Sequence, residues 1–362
     1  MEKDYPPTDL DEQIDILKHR KMSFKNEERA RKYIRYIGYQ RLSWYWSLFY
    51  ASKEKGKELF REGLTFEEIL SVYIFDRKLR MLFLEASERI ELCLKTLLSD
   101  IMSVKTKSSN WYLDARFFDT KVDHYYKKGE KQKEKINHGT LMSAIDEELK
   151  RNKIKETTLK SFNSVYNTKI HSWDLFQNIT FGKFSRFVEL INGDEAKDFY
   201  NLFSLPKAVF DNWIECIVTV RNICAHYKLF CFRSFSNKPK SLLHSKKRTS
   251  EIIFNSSSND KFWAQFYIFS YFMHKISPTS SWVRRVTNEI QKASKETELI
   301  SFSALGFPTD WQKIFSEYLP KKNNNFSKHR RFSSYDPCQM YSRTPRKKWG
   351  TVFYDRCRRA RT

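Results

Sequence analysis

Residues 65–98 read TFEEILSVYIFDRKLRMLFLEASERIELCLKTLL, and this stretch decides the fold. Thr65 and Glu68 form a capping box, the pairing that marks the first turn of a helix. Apolar residues then recur at the spacing of helical turns, which predicts one long amphipathic helix. Its apolar stripe consists of Leu79, Leu82, Phe83, Ala86, Ile90, Leu94 and Leu97.

Other parts of the chain also carry helical patterns. Helical spacing recurs in short segments between residues 9 and 50, again between residues 172 and 203, and in an almost wholly apolar segment at 261–276. The chain has only 9 Gly and 9 Pro among 362 residues, too few for the many turns of an all-β fold. We therefore predict an all-α fold, a helical bundle with additional N-terminal and C-terminal helices.

Changes in composition divide the chain into three parts. Residues 1–64 are predicted to be an N-terminal helical segment, and residues 65–320 a helical domain. The domain contains a polar, lysine-rich insert near 103–160, which reads as a solvated helix or a mobile insert because it mixes charges of both signs. Residues 321–362 hold 13 basic and 2 acidic residues. We predict that this tail is disordered, or ordered only by a partner.

A second stretch, residues 211–230 (DNWIECIVTVRNICAHYKLF), carries the candidate chemistry. Its apolar residues predict a helix that leads directly into Arg221, Asn222 and His226. Asn222 and His226 are four positions apart, so they share one helix face. Arg221 lies about 140° round the helix from His226, and its long side chain can still reach back. The pattern predicts that the three polar groups meet at the end of an apolar helix.

This combination of side chains suits the cleavage of RNA without a metal ion. Histidine titrates near neutral pH, so it can act as general base or general acid. The guanidinium of Arg221 matches the charge of a phosphorane, and Asn222 can orient the ring of His226 or hold a phosphate oxygen. The alternative is structural, because a histidine on a helix is often only a hydrogen-bonded core residue.

The overall charge points to a polyanionic partner. The net charge is +23, which favours RNA, DNA or an anionic membrane surface. The longest apolar run is shorter than a membrane span requires, and the first residues lack the apolar core of a signal peptide. The six cysteines show no metal-binding spacing. We expect a cytoplasmic protein that uses no metal and no cofactor.

Seven basic residues are candidates for RNA contact. Four of them lie between residues 227 and 250, a segment with seven basic residues in all and no acidic one. This segment directly follows the motif, where a phosphate backbone would lie. Arg41 lies beside Trp44, Tyr45 and Trp46, and these aromatic residues are a candidate platform for base stacking. Arg77 and Arg80 lie on the long helix. Solvated charges, ion pairs and core aromatics are the alternative explanations. The candidates are Lys228, Arg233, Lys238, Lys240, Arg41, Arg77 and Arg80.

The Arg-Asn-x-x-x-His pattern is similar to the signature of HEPN domains. Residues 220–226 (VRNICAH) resemble that motif in the Abi-like (abortive infection, AbiD/AbiF) proteins of bacteria. Four further landmarks of the family have similar segments here, in the same order. They are residues 37–46 (IGYQRLSWYW), 75–80 continuing to 88–91 (FDRKLR and ERIE), 181–182 (FG) and 306–311 (GFPTDW).

The resemblance implies a fold, an activity and partners. It implies a HEPN-type bundle and an endoribonuclease toxin of anti-phage defence that acts as a homodimer. Cleavage would leave 2′,3′-cyclic phosphate and 5′-hydroxyl ends, and the AbiF branch suggests a noncoding RNA as the inhibitor. Two alternatives stay open: a noncatalytic RNA-binding scaffold, and a basic protein of the membrane surface.

Overall fold

The helix predicted to begin after Thr65 lies at the centre of the fold. It spans Phe66–Thr106, and its 41 residues correspond to a length of about 61 Å. The capping box is present: the Thr65 side chain accepts a hydrogen bond from the N–H of Glu68, and the Glu68 carboxylate accepts one from the N–H of Thr65. The helix is longer than predicted because the pattern continues past Leu98.

The structure is a computed structural model that describes residues 7–52, 58–127, 130–151, 170–240 and 259–316. The described residues are predominantly helical, which confirms the predicted all-α class. Numbered over these residues, the helices are α1 (Leu10–His19), α2 (Glu27–Ile37), α3 (Tyr39–Trp46), α4 (Phe66–Thr106), α5 (His138–Arg151), α6 (Ser172–Asn178), α7 (Phe181–Leu190), α8 (Asp194–Phe203), α9 (Lys207–Ala225), α10 (Phe262–Ile276), α11 (Trp282–Glu296) and α12 (Trp311–Ser316).

Helices α3, α6, α8, α9, α10 and α11 all pack against α4. The reason is visible in the predicted apolar stripe, of which Leu79, Phe83, Ala86, Ile90 and Leu94 are fully buried. Helix α10 is buried on nearly all sides, as its sequence predicted. A helix with apolar residues on every face has to be surrounded by other elements.

Phe83 lies at the centre of an aromatic cluster. Its ring centroid is 4.7 Å from that of Phe230, 5.4 Å from that of Phe262 and 4.7 Å from that of Phe269. The ring of Trp282 is 5.1 Å away, and its Nε1 donates a hydrogen bond to the carbonyl of Leu82. The cluster therefore joins α4, α10 and α11 to the segment that follows α9.

The N-terminal helices α1, α2 and α3 pack onto the same hydrophobic core. Gly38 separates α2 from α3 with a φ of 96°, a conformation that residues with a side chain rarely adopt. This turn brings α3 against α4. The buried side chains of α3 are Leu42, Tyr45 and Trp46.

The lysine-rich insert contains a β-hairpin that the sequence analysis did not predict. Strands β3 (Lys121–Lys127) and β4 (Glu130–Ile136) pair antiparallel, with Lys127 opposite Glu130. The prediction of a helix was wrong for the residues of these two strands. Too few apolar residues alternate there to produce the pattern of a half-buried strand. A second, smaller pair consists of β1 (Tyr50–Ser52) and β2 (Leu59–Phe60).

The predicted basic tail, residues 321–362, lies outside the described residues. Residues 241–258, which include the rest of the basic segment after the motif, also lie outside them. The chain from Met1 to Leu319 clusters as one compact unit. The proposed division into 1–64 and 65–320 stays a prediction. Among the helices described, none combines the length and apolarity that crossing a bilayer would take.

We predict that Phe83→Ala destabilises the fold strongly. Truncation removes the ring shared by four aromatic partners, and loss of a buried Phe side chain typically costs about 3–5 kcal/mol. Urea unfolding followed by circular dichroism would measure the loss. Leu92→Ala is the matched control, because Leu92 lies on the same helix but is 59% exposed. A similar loss in both variants would contradict the central role of the cluster.

Candidate active site

The predicted catalytic residues lie on the last turn of α9. Arg221 is half-buried, whereas Asn222 and His226 are exposed. His226 ends the helix, and its N–H donates to the carbonyl of Asn222 at 3.0 Å. Arg221 Nη1 donates a hydrogen bond to Asn222 Oδ1 at 3.2 Å. In this conformation the guanidinium is therefore paired with Asn222, while the imidazole of His226 faces solvent on the neighbouring turn.

The chain leaves α9 through a Schellman motif. The N–H of Tyr227 donates to the carbonyl of Cys224 at 3.2 Å, and the N–H of Lys228 donates to that of Ile223 at 3.1 Å. Tyr227 occupies the left-handed position of this motif, with a φ of 57°. Glycine is the usual residue there, and a residue with a side chain adopts this conformation at a cost of about 1–2 kcal/mol.

A buried carboxylate holds the segment that follows the motif. Asp76 Oδ1 accepts hydrogen bonds from the N–H of Phe230 at 3.1 Å and of Cys231 at 2.7 Å. Its Oδ2 accepts from Tyr45 Oη at 2.8 Å and from Arg80 Nη1 at 2.5 Å. Asp76 is completely inaccessible to solvent. Helix α4 thereby fixes where the chain runs immediately after His226.

Two arginines donate to the backbone carbonyls of the same turn. Arg41 Nη1 donates to the carbonyl of Tyr227 at 2.6 Å, and Arg80 Nη1 donates to that of Lys228 at 3.2 Å. Arg41 comes from α3 and Arg80 from α4. Three segments that are far apart in the sequence therefore meet at the end of α9.

Burial changes the interpretation of Arg80, which the sequence analysis proposed as an RNA contact. Its residue exposure is only 3%, and its guanidinium binds Asp76, Tyr45 and the carbonyl of Lys228. These contacts argue against the predicted RNA contact, and we interpret Arg80 as a structural residue. Arg77, one turn earlier on α4, is exposed and stays a candidate.

The basic residues after the motif do not all lie near His226. Lys228 is exposed beside the site. Arg233 is half-buried, and its Cζ lies 5.8 Å from the ring centroid of Phe235. Lys238 and Lys240 lie farther away, because the chain doubles back along α9. The Asn212 amide bonds both: Nδ2 donates to the carbonyl of Lys238, and Oδ1 accepts from the N–H of Lys240.

Lys240 contributes to a groove of about 730 Å³ beside α7 and α9. The groove follows α9 from Lys207 to Thr219, so its near end lies two residues before Arg221. The groove carries charges of both signs. Its charged lining residues are Asp119, Arg186, Glu189, Lys207, Asp211, Glu215 and Lys240. Of the predicted RNA-binding residues, Lys240 lines this groove, whereas Lys228 lies at the motif.

Burial determines the protonation of the groups behind the site. It raises the pKa of the Asp76 carboxyl, and Arg80 together with the backbone N–H of Cys231 opposes that rise. Burial also raises the pKa values of the Cys224 and Cys231 thiols well above the usual range. Cys224 lies within the motif, but a neutral, buried thiol is a poor nucleophile.

Comparison with known proteins identifies the family. A family model described as Abi-like protein matches residues 32–230. The chain belongs to the Abi-like protein family. The match includes the segments that contribute Arg41, Asp76 and Arg80, and it ends at Phe230, whose N–H binds Asp76. No curated protein matches the chain, and no solved structure does.

The sequence analysis missed Asp76 and Tyr227 as parts of the site. A signal for Asp76 was present, because Asp76 and Arg80 are one turn apart within an otherwise apolar helix, between Phe75 and Leu79. Their partner segment, however, is more than 150 positions away. Among the residues that the structure describes, no group of three or more His, Cys, Asp and Glu side chains could hold a metal ion.

We predict that Asp76→Ala destabilises the protein by about 3–5 kcal/mol, because it leaves the buried charge of Arg80 without its partner. The free energy of unfolding in urea would test this. Glu88→Ala, an exposed acidic position on the same helix, serves as the control. If Asp76→Ala costs no more than Glu88→Ala, the carboxylate does not hold the turn after the motif.

Proposed function

We propose that this Abi-like protein is a metal-independent endoribonuclease, a toxin of abortive-infection defence. Membership in the Abi-like family indicates a role in abortive infection. The activity is supported by one observation: the Arg221–Asn222 pair and His226 lie together on the solvent-facing last turn of α9. The exposed imidazole of His226 can reach a phosphodiester without any opening of the core.

The proposed reaction starts at the ribose 2′-hydroxyl. His226 takes the proton of this hydroxyl while the 2′-oxygen attacks the adjacent phosphorus. Arg221 stabilises the negative charge of the phosphorane, and Asn222 keeps the guanidinium in place through its Oδ1. The bond to the 5′-oxygen then breaks, and a general acid protonates that leaving oxygen. The products are a 2′,3′-cyclic phosphate and a 5′-hydroxyl.

The reaction needs an acid and a base on opposite sides of the phosphorus, whereas one chain supplies one motif. A two-fold homodimer would bring two copies of His226 to the same cleft. The exposure of His226 and Asn222 supports this arrangement, because both side chains are accessible to a second subunit. One histidine would then act as base and the other as acid.

The RNA would be held by exposed basic residues. Lys228 lies beside His226, and Arg77 lies one turn from Arg80 on α4. Lys238 and Lys240 would contact a more distant part of the strand along the groove. Because such a nuclease would harm its host, we expect an inhibitor. A cognate noncoding RNA in the cytoplasm fits the net charge of +23.

A noncatalytic RNA scaffold is the alternative, since the same basic residues would serve it equally well. Both proposals expect RNA affinity that falls steeply with salt. They differ in what the exposed His226 does, because a scaffold needs no imidazole beside the guanidinium.

We predict that the purified protein cleaves single-stranded RNA in EDTA and that His226→Ala and Arg221→Ala lower the rate by at least about 100-fold. Gel analysis of labelled RNA, with phosphatase and kinase treatment to identify the ends, would measure rate and chemistry. The controls are His19→Ala and Arg284→Ala, which remove exposed residues of the same types on other helices. Tight RNA binding without cleavage, unchanged in His226→Ala, would favour the scaffold.

The dimer proposal gives a separate prediction. If each cleavage needs two histidines, an equal mixture of wild-type and His226→Ala subunits should retain about one quarter of the activity, whereas independent subunits would retain about one half. Mixing under exchange conditions, followed by the cleavage assay, distinguishes the two. A linear dependence on the wild-type fraction would exclude the shared cleft. Mixtures with His19→Ala subunits should keep full activity.

A further inference from the structure

Two large aromatic side chains beside the motif remain exposed. Trp44 is 38% exposed, although its neighbours Tyr45 and Trp46 are completely buried. Tyr227, the residue directly after His226, is 65% exposed. Burial of an aromatic ring is one of the largest favourable contributions to folding, and the exposed parts of these two rings do not add to it.

Arg41 joins the two rings. Its Cζ lies 5.7 Å from the ring centroid of Trp44 and 5.8 Å from that of Tyr227. The same guanidinium donates to the carbonyl of Tyr227, so the contact also fixes the backbone from which that ring projects. Two partly exposed aromatic rings and the planar guanidinium of Arg41 therefore lie close to the backbone that follows His226.

The backbone at Tyr227 strengthens the case for a function. The left-handed position of a Schellman motif favours glycine. Non-glycine residues with positive φ also occur at Lys21, Lys107 and Ser204, all of them at helix ends. Within the described part of the chain, Tyr227 is the aromatic member of this set. A tyrosine in this conformation costs stability and leaves most of its ring in solvent, and the contact with Arg41 offsets only part of that cost.

We infer that Trp44, Arg41 and Tyr227 form a stacking subsite for an unpaired RNA base, next to the scissile phosphate. Aromatic rings and guanidinium planes both stack on nucleobases. Every base has a suitable face, so the subsite selects unpaired nucleotides rather than one sequence. Bases within a duplex are already stacked and cannot enter. The inference rests on the proposed function for the position of the phosphate, but not for the stacking itself.

Binding should be measured with the full chain carrying His226→Ala, so that the RNA stays intact. The probe is a short fluorescent oligoadenylate, with a blunt RNA duplex as the comparison. In this background, Trp44→Ala and Tyr227→Gly should each weaken binding of the oligoadenylate at least about fivefold. Binding of the duplex should change less than about twofold. Tyr227→Gly should not lower thermal stability, because glycine suits the left-handed backbone.

The matched control is Trp173→Ala. Trp173 is 42% exposed, close to the exposure of Trp44, and its ring stacks on that of His171 at 4.6 Å. The neighbouring Ser172 bonds Ser99 of α4, which is 19 residues and so about 29 Å along the helix from Arg80. Its removal should leave the affinity for both probes unchanged.

Several outcomes would overturn the subsite. They are unchanged oligoadenylate affinity in Trp44→Ala and Tyr227→Gly, an equal loss in Trp173→Ala, or no measurable binding in the His226→Ala background. A loss of thermal stability without a loss of affinity would make the three residues a structural clamp only. If these substitutions weaken binding as expected but the wild-type protein does not cleave RNA, the stacking subsite is supported and the nuclease proposal fails.

Discussion

The hydrogen bonds of the Asp76 carboxylate determine where the candidate active site lies. This buried group binds two backbone N–H groups after α9, the hydroxyl of Tyr45 and the guanidinium of Arg80. A carboxylate without these donors could not remain in the interior, and the donors without it would be left unsatisfied. The network therefore joins α3, α4 and the end of α9 into one unit, and His226 projects from its outer side.

This arrangement explains why separated segments carry the resemblance to the family. Residues 37–46 supply Tyr45 and Arg41, residues 75–80 supply Asp76 and Arg80, and residues 220–226 supply the motif. The family match over residues 32–230 includes all three. In the structure they form a support for one helix end. The residues proposed to touch RNA lie on the outer side of that support.

The sequence predicted what depends on local spacing and missed what depends on distant partners. The helix after Thr65 and the apolar face of α9 follow from periodicity, which a short window contains. The burial of Arg80 does not, because its partner Lys228 is 148 positions away. Helical spacing also could not separate exposed Trp44 from buried Tyr45 and Trp46. Lys238 and Lys240 were expected beside His226, but the chain after α9 turns back along the helix and carries them away.

The position of the motif at a helix C-terminus has an electrostatic consequence. The last carbonyls of a helix carry a partial negative charge, so this end repels a phosphate, whereas helix N-termini attract one. Here the Schellman bonds satisfy the carbonyls of Ile223 and Cys224, and Arg41 and Arg80 donate to the carbonyls of Tyr227 and Lys228, just past the helix end. The Arg41 guanidinium thereby lies beside this helix end, whereas the charge of Arg80 is paired with that of Asp76. In the proposed nuclease, Arg41 would therefore offset part of the negative potential that the helix end presents to an anionic strand near His226.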